Sequence, residues 1–215
     1  MPSSNHLLAR LACGFMAALL LNCHALDWIA VNQDGRGFVR SETNKPFVVW
    51  GVNYDHTEDG KLIEEFWHDD WPRVEDDFRE ILELGANVVR IHLQLGQFMK
   101  SVDQPNQRNL DQLRRLVGLA EDLGLYLDLT GLGCYRLADV PKWYDALNEQ
   151  ARWDVQARFW SAIAETCKDS PAVFCYDLMN EPVLAAPKEG EPPWLSGELG
   201  GYHFVQRLTL DLAGR

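Results

Sequence analysis

The sequence predicts a (β/α)8 barrel, and three observations point to that fold. Apolar segments of strand length alternate with amphipathic segments of helix length, which is typical of βαβ units and a parallel sheet. No Gly-x-Gly-x-x-Gly turn follows the first strand, although an open nucleotide-binding sheet would carry one there. Polar and aromatic residues follow the predicted strands instead, at the end of the sheet where barrel enzymes have their active sites.

Four strands and three long helices account for this pattern. The strands are predicted at 47–54, 87–93, 125–129 and 173–178, and the helices between them at 71–84, 110–123 and 150–167. Residues 26–46 precede the barrel, and their alternation of apolar and polar residues predicts a small hairpin over one end of the core. Because a complete barrel takes about 250 residues, we expect residues 47–215 to be a truncated half with about four of the eight units.

Residues 1–25 have the features of a secretory signal peptide. Arg10 precedes an apolar run at 11–21, and Ala25 is a small residue at the place where a signal peptidase cuts. The run is shorter than the roughly 20 apolar residues that span a bilayer. We therefore expect a secreted or periplasmic protein with no membrane contact after cleavage. A retained anchor, or a lipoprotein attached through Cys23, is the less favoured alternative.

Charge and cysteine content restrict the classes of partner. The chain has a net charge of −12 at pH 7, and its Lys and Arg residues form no cluster of the kind that binds phosphates. We expect no nucleic-acid partner and a neutral substrate such as a polysaccharide. The cysteines after residue 25 lack metal-ligand spacing, so we predict no metal and no other cofactor. Cys167 and Cys175 either pair after export or stay as buried thiols.

The most specific motif is Tyr-Asp-Leu-Met-Asn-Glu-Pro at residues 176–182, a predicted strand that ends in an amide, a carboxylate and a proline. With Gly-Val-Asn at 51–53 and Asn-Val-Val-Arg at 87–90, it resembles glycoside hydrolase family 5, of clan A, in the order and spacing of the motifs. The resemblance implies a retaining hydrolase of β-linked polysaccharide or oligosaccharide, of the cellulose, β-glucan or β-mannan type. Thr130 stands where the family commonly has a histidine, which indicates a divergent subfamily.

The resemblance also implies roles for individual residues. Two carboxyl groups carry out a double displacement. Glu181 corresponds to the acid/base, Asn180 to the residue that hydrogen-bonds the sugar 2-hydroxyl, and Arg90 to the arginine that orients the nucleophile. The nucleophile belongs at the end of a seventh strand that this chain lacks, so we expect the chain alone to be inactive. A noncatalytic carbohydrate-binding barrel and a barrel enzyme of another chemistry are the alternatives.

Other candidates for sugar contact share a position near the carboxyl end of a predicted strand: Asn53, Tyr54, His92 and Tyr135. A structural, hydrogen-bonded histidine explains His92 equally well, and core packing explains the tyrosines. Arg90 lies inside an apolar strand and needs a carboxylate partner, because a buried unpaired guanidinium is very costly. For Asp128 on the third strand, a structural hydrogen-bonding role is favoured over a catalytic one. The sequence predicts no oligomeric state.

Overall fold

The computed structural model describes residues 26–133 and 139–180, which contain one antiparallel and one parallel sheet. The antiparallel sheet consists of β1 Ile29–Val31, β2 Phe38–Arg40 and β3 Pro46–Phe47. The parallel sheet consists of β4 Gly51–Asn53, β5 Val88–Gln94, β6 Tyr126–Gly133 and β7 Val173–Asp177. The helices are α1 Ile63–Phe66, α2 Trp71–Glu83, α3 Leu95–Phe98, α4 Gln107–Leu123, α5 Lys142–Asp145 and α6 Glu149–Cys167.

The four parallel strands are neighbours in chain order, β4-β5-β6-β7, and a long helix lies between each successive pair. This is the arrangement of adjacent units in a (β/α)8 barrel. It confirms the predicted fold class for the part of the chain that the structure describes, which forms part of a barrel. The three long helices begin and end within three residues of the predicted bounds.

The core lies between the helices and the outer face of the parallel sheet. Val89, Ile91 and Leu93 alternate along β5 and have no exposed surface. They pack in one cluster with Phe78 of α2 and Leu113 of α4, both also fully buried. Each such side chain contributes about 1.5–3 kcal/mol on burial. The opposite face of β5 therefore carries the remaining alternate residues, which include the polar ones.

The first barrel strand is shorter than predicted. Residues 46–47 leave the barrel direction and pair with β2 of the antiparallel sheet. The ring of Phe47 packs edge-on against Tyr126, with 5.0 Å between ring centroids, and Arg40 Nη1 donates to the Tyr126 hydroxyl at 3.0 Å. Tyr126 is the first residue of β6. The antiparallel sheet thus covers the amino-terminal end of the parallel strands, with three strands where the sequence predicted a hairpin.

A glycine in β6 lets α6 pack closely on the sheet. A Cβ atom at Gly131 would lie 2.8 Å from Phe159 Cε1 and 2.6 Å from Trp160 Cη2. We expect Gly131→Ala to lower the free energy of unfolding by about 1–3 kcal/mol, because packed aromatic rings must shift. Gly118→Ala in α4 is the matched control. Nothing lies within 4 Å of a Cβ there, and alanine favours helix by about 0.5–1 kcal/mol. Urea unfolding that gave both variants equal stability would contradict this account.

Both cysteines of the described residues are free thiols. Burial raises the pKa of the Cys167 thiol to about 12 and that of Cys175 also to about 12. The disulfide alternative is therefore not realised in this structure. No helix within the described ranges is both long and apolar enough to pass through a membrane. The predicted signal segment, residues 1–25, lies outside those ranges.

Candidate active site at the carboxyl ends of the strands

The strand register places polar side chains side by side on one face of the parallel sheet. The pairs of opposite residues are Asn53 and Arg90, Arg90 and Asp128, and Thr130 and Asp177. The register between β6 and β7 shifts between Leu127 and Asp128, and beyond that shift Thr130 lies opposite Asp177. Alternate residues of a strand share a face, so Arg90 projects from the side of β5 opposite to its core residues.

Arg90 is the centre of this group. Its Nη2 donates to Asp177 Oδ2 at 2.7 Å and to Asn180 Oδ1 at 3.2 Å. Its Nε donates to Thr130 Oγ1 at 2.8 Å and lies 3.7 Å from Asp128 Oδ2. The guanidinium side chain is 28% exposed. A planar fork of donors suits such a set of oxygen acceptors, and it fixes the side chain in one orientation.

Asp177 is a site residue that the sequence analysis missed. It contacts Arg90 directly, and the Thr130 hydroxyl donates to its Oδ2 at 3.2 Å. Thr130 is fully buried and bridges the two, since it accepts from Arg90 and donates to Asp177. The position of the expected family histidine is therefore occupied by a hydroxyl group that joins the arginine network. Its place at the end of a predicted strand, inside the motif at 176–182, was the signal that could have pointed to Asp177.

Asp128 lies deeper along the same face. Burial raises the pKa of its carboxyl, while a hydrogen bond from the Cys175 thiol and the Arg90 charge oppose that shift. The neighbouring Asp177 charge also raises it. One arginine thus faces two carboxyl groups in this cluster. A further carboxyl group brought close to it would be disfavoured in its charged form, because like charges raise a carboxyl pKa.

His92 lies two residues beyond Arg90 and is only 5% exposed. Burial lowers the pKa of the imidazole to about 4, and the Arg90 charge lowers it further against the opposing effects of Asp55 and Asp177. His92 is therefore a neutral ring at neutral pH. A neutral imidazole can both donate and accept a hydrogen bond.

We expect acidification from pH 6.5 to pH 4.5 to destabilise the fold through His92. The unfolded chain binds a proton at about pH 6.5, whereas the folded chain does so only near pH 4. The contribution is present above pH 6.5 and is lost as the pH falls toward 4. Between pH 6.5 and pH 4.5, the free energy of unfolding of His92→Gln should fall by about 2 kcal/mol less than that of the unsubstituted protein. Equal losses in urea unfolding at the two pH values would contradict the burial of a neutral ring.

Of the remaining predicted site residues, one lies at the Arg90 cluster, one has its hydroxyl engaged elsewhere, and two lie outside the described residues. Asn53 is exposed on β4, opposite Arg90, at the cluster. Tyr54 turns toward α2, where its hydroxyl donates to Asp77 Oδ2 at 2.5 Å and its ring packs edge-on against Phe78. Its hydroxyl is thus engaged outside the Arg90 cluster, and its contact with sugar stays a prediction. Tyr135 and Glu181 lie outside the described residues, and Glu181 follows Asn180 directly in the chain.

Parallel strands in barrel order, with an arginine–carboxylate network where the strands end, are typical of a barrel enzyme with its active site at that end. A family model described as Cellulase (glycosyl hydrolase family 5) matches residues 41–197. The chain belongs to glycoside hydrolase family 5, as the sequence resemblance predicted. A comparison with curated proteins gives no match.

Solved structures of the same family share the fold. A GH5_18 protein from Bifidobacterium longum subsp. longum is 20% identical, with a TM-score of 0.57 over 66% of this chain and 36% of that one. A variant of it in complex with Manβ1-4GlcNAc is 19% identical, with a TM-score of 0.52 over 59% and 31%. A β-1,4-D-mannanase from Cryptopygus antarcticus is 14% identical, with a TM-score of 0.56 over 88% and 51%. The alignments span about a third to a half of those structures.

Proposed function

We propose that the protein containing this chain is a retaining glycoside hydrolase that cleaves β-linked glucan or mannan by double displacement. Membership of a glycoside hydrolase family supports the reaction class. The observation that carries the proposal is the hydrogen bond from Arg90 Nη2 to Asn180 Oδ1. The bond holds Asn180, the residue before Glu181, against the Arg90 guanidinium near the carboxyl end of β7.

The orientation of Asn180 suits contact with a sugar. Its side-chain oxygen accepts from Arg90, so its amide nitrogen, which carries two donors, remains to bind a hydroxyl group. A hydrogen bond to the sugar 2-hydroxyl that strengthens in the transition state supplies part of the catalysis in such enzymes. Arg90 and Asp177 act through Asn180 as positioning residues.

The chemistry requires Glu181 to change its protonation state twice. In the first step its proton passes to the glycosidic oxygen as the bond to the anomeric carbon breaks, and a second carboxylate forms a glycosyl ester. In the second step Glu181 takes a proton from water, which attacks the anomeric carbon and releases that carboxylate. Like charges raise a carboxyl pKa, so we infer that a Glu181 held near the two carboxyl groups around Arg90 is neutral before the first step.

The substrate class is assigned by chemistry and by the printed names of the neighbours. A net charge of −12 disfavours polyanionic substrates. One neighbour is a β-1,4-D-mannanase, and another was solved with Manβ1-4GlcNAc. We infer a neutral β-linked substrate, with β-1,4-mannan and β-1,4-glucan as the first candidates. Export through the segment at residues 1–25 is part of the same proposal.

The whole protein should be tested on neutral polysaccharides, namely β-1,4-mannan and hydroxyethyl cellulose, and on aryl β-mannosides and β-glucosides. We expect reducing ends to appear from at least one of them, and proton NMR of the first product should show the β anomer. An α anomer formed first would indicate inversion and contradict double displacement. Oligosaccharide binding in calorimetry without turnover of any substrate would favour the noncatalytic carbohydrate-binding alternative.

A further inference from the structure

Arg90 has acceptors at two levels along the face of the parallel sheet that carries it. The strand register places Arg90 opposite Asp128, at the deeper level. Thr130 lies two residues further along β6, opposite Asp177, and Asn180 follows the end of β7. Alternate residues of a strand are roughly 6–7 Å apart. A shift of the guanidinium toward one level is therefore a shift away from the other.

The guanidinium lies at the level nearer the carboxyl ends of the strands. Its Nε is 2.8 Å from Thr130 Oγ1 but 3.7 Å from Oδ2 of Asp128, although Asp128 is the register partner of Arg90. A carboxylate attracts a guanidinium over several ångströms, whereas a hydroxyl group binds it only in contact. The contacts at the Thr130 level together outweigh the attraction of Asp128.

Thr130 closes a ring of hydrogen bonds around this position. Its single hydroxyl proton is directed at Asp177 Oδ2, because Oγ1 already accepts the Nε–H of Arg90. Arg90 Nη2 donates one proton to the same Oδ2 and the other to Asn180 Oδ1. The Thr130 side chain has no exposed surface, so solvent water cannot take the place of its hydroxyl group. The ring therefore depends on this one oxygen atom.

We propose that Thr130 is a positioning residue, whose hydroxyl group holds the Arg90 guanidinium at Asn180 and away from Asp128. Without that hydroxyl, the Nε–H turns to Asp128 Oδ2, which is already 3.7 Å away, and Nη2 moves away from Asn180. The effect on catalysis rests on the proposed function, in which Asn180 contacts the sugar. The placement of the guanidinium does not rest on it.

Thr130→Val removes the hydroxyl group and keeps the branched shape of the side chain. In the whole protein we expect kcat on the polysaccharide to fall about tenfold or more with KM changed less than about twofold, because a displacement of about 1 Å can cost about 10²-fold. Thr130→Ser, which keeps the hydroxyl, should restore kcat to within about threefold. A kcat of Thr130→Val equal to that of the unsubstituted protein would overturn the role in catalysis.

Thr166→Val is the matched control for loss of a threonine hydroxyl. Thr166 is a half-buried residue of α6, and its Oγ1 donates to the Ala162 carbonyl oxygen at 2.8 Å, away from the Arg90 cluster. This variant should change neither kcat nor KM. Equal losses of kcat in Thr166→Val and Thr130→Val would show a general effect of the missing hydroxyl and overturn the positioning role.

Asp128→Asn distinguishes competition for the guanidinium from damage to the fold. Asparagine keeps the shape of the side chain and removes its charge. Added to Thr130→Val, it should raise kcat about threefold or more, because it weakens the attraction that draws Arg90 away from Asn180. Two independent losses would instead add and make the double variant slower. A double variant no faster than Thr130→Val would overturn the competition.

A crystal structure of Thr130→Val gives a result that needs no turnover. We expect Arg90 Nε within hydrogen-bond distance of Asp128 and Nη2 beyond that distance from Asn180; an unmoved guanidinium would overturn the proposal. A moved guanidinium, in a protein that hydrolyses no substrate even when unsubstituted, would sustain the placement by Thr130 and reject the hydrolase function. Hydrolysis by the unsubstituted protein, with kcat unchanged in Thr130→Val, would do the reverse.

Discussion

Glu181→Ala is expected to slow the hydrolysis of polysaccharide by about 10²- to 10⁴-fold, the usual contribution of general acid–base catalysis. Aryl glycosides with an activated leaving group should lose far less in the first step, because that group departs without a proton. Added azide should then restore turnover, since an anion attacks the glycosyl ester without a base to deprotonate it. Initial rates on both substrate types, with and without azide, provide the measurement.

Glu165→Gln is the matched control for loss of a carboxylate. Glu165 lies on α6 with a side chain that is 72% exposed, and its ion pair joins it to Lys168 on the surface. This variant should keep its activity on both substrate types. Equal losses in Glu181→Ala on polysaccharide and aryl glycoside, without an effect of azide, would assign the acid/base role to another residue.

The elements with a local cause were predictable from sequence. The helix α4 ends at Gly124, which adopts a left-handed φ of 73° that favours glycine, and the predicted end at 123 agrees with the structure. Strands β5 and β6 were predicted because a short, nearly continuous apolar run in an α/β sequence is typical of a parallel strand that is buried on both faces. Arg90 was predicted as a site residue because a cation inside such a run demands a partner.

The elements that depend on distant contacts were not predictable in the same way. The apolar run at 47–54 was assigned to one strand, but Phe47 packs against Tyr126 below the sheet, 79 positions further along the chain. The partner of Arg90 was expected to be the nucleophile on a later strand, whereas Asp177 occupies its Nη2 in this structure. That contact depends on the register between β6 and β7, which shifts between Leu127 and Asp128. Such a local irregularity interrupts the two-residue alternation of a strand, and the alternation alone does not show where it falls.

Because Arg90 pairs with Asp177, we expect Arg90→Ala to lower the free energy of unfolding more than any other single substitution considered. Arg90→Ala removes the only cation within salt-bridge distance of Asp128 and Asp177 among the described residues. Breaking a fully buried pair costs about 3–5 kcal/mol. Because the Asp177 side chain is 37% exposed, solvent screening reduces the expected loss to about 2–3 kcal/mol. Arg79→Ala on α2 also breaks two carboxylate contacts, but at the surface, and should cost less than about 1 kcal/mol.

A double-mutant cycle separates the pair from the rest of the fold. If Asp177 acts through Arg90, then Asp177→Ala should cost little once Arg90→Ala is already present, with a coupling energy of about 1–2 kcal/mol. Additive losses in urea unfolding would show that the two residues stabilise the fold independently. Activity adds a second readout, because Arg90→Lys keeps the charge but loses the fork that holds Asn180. We expect it to recover much of the stability while kcat on the substrate stays low, whereas a purely structural arginine would recover both together.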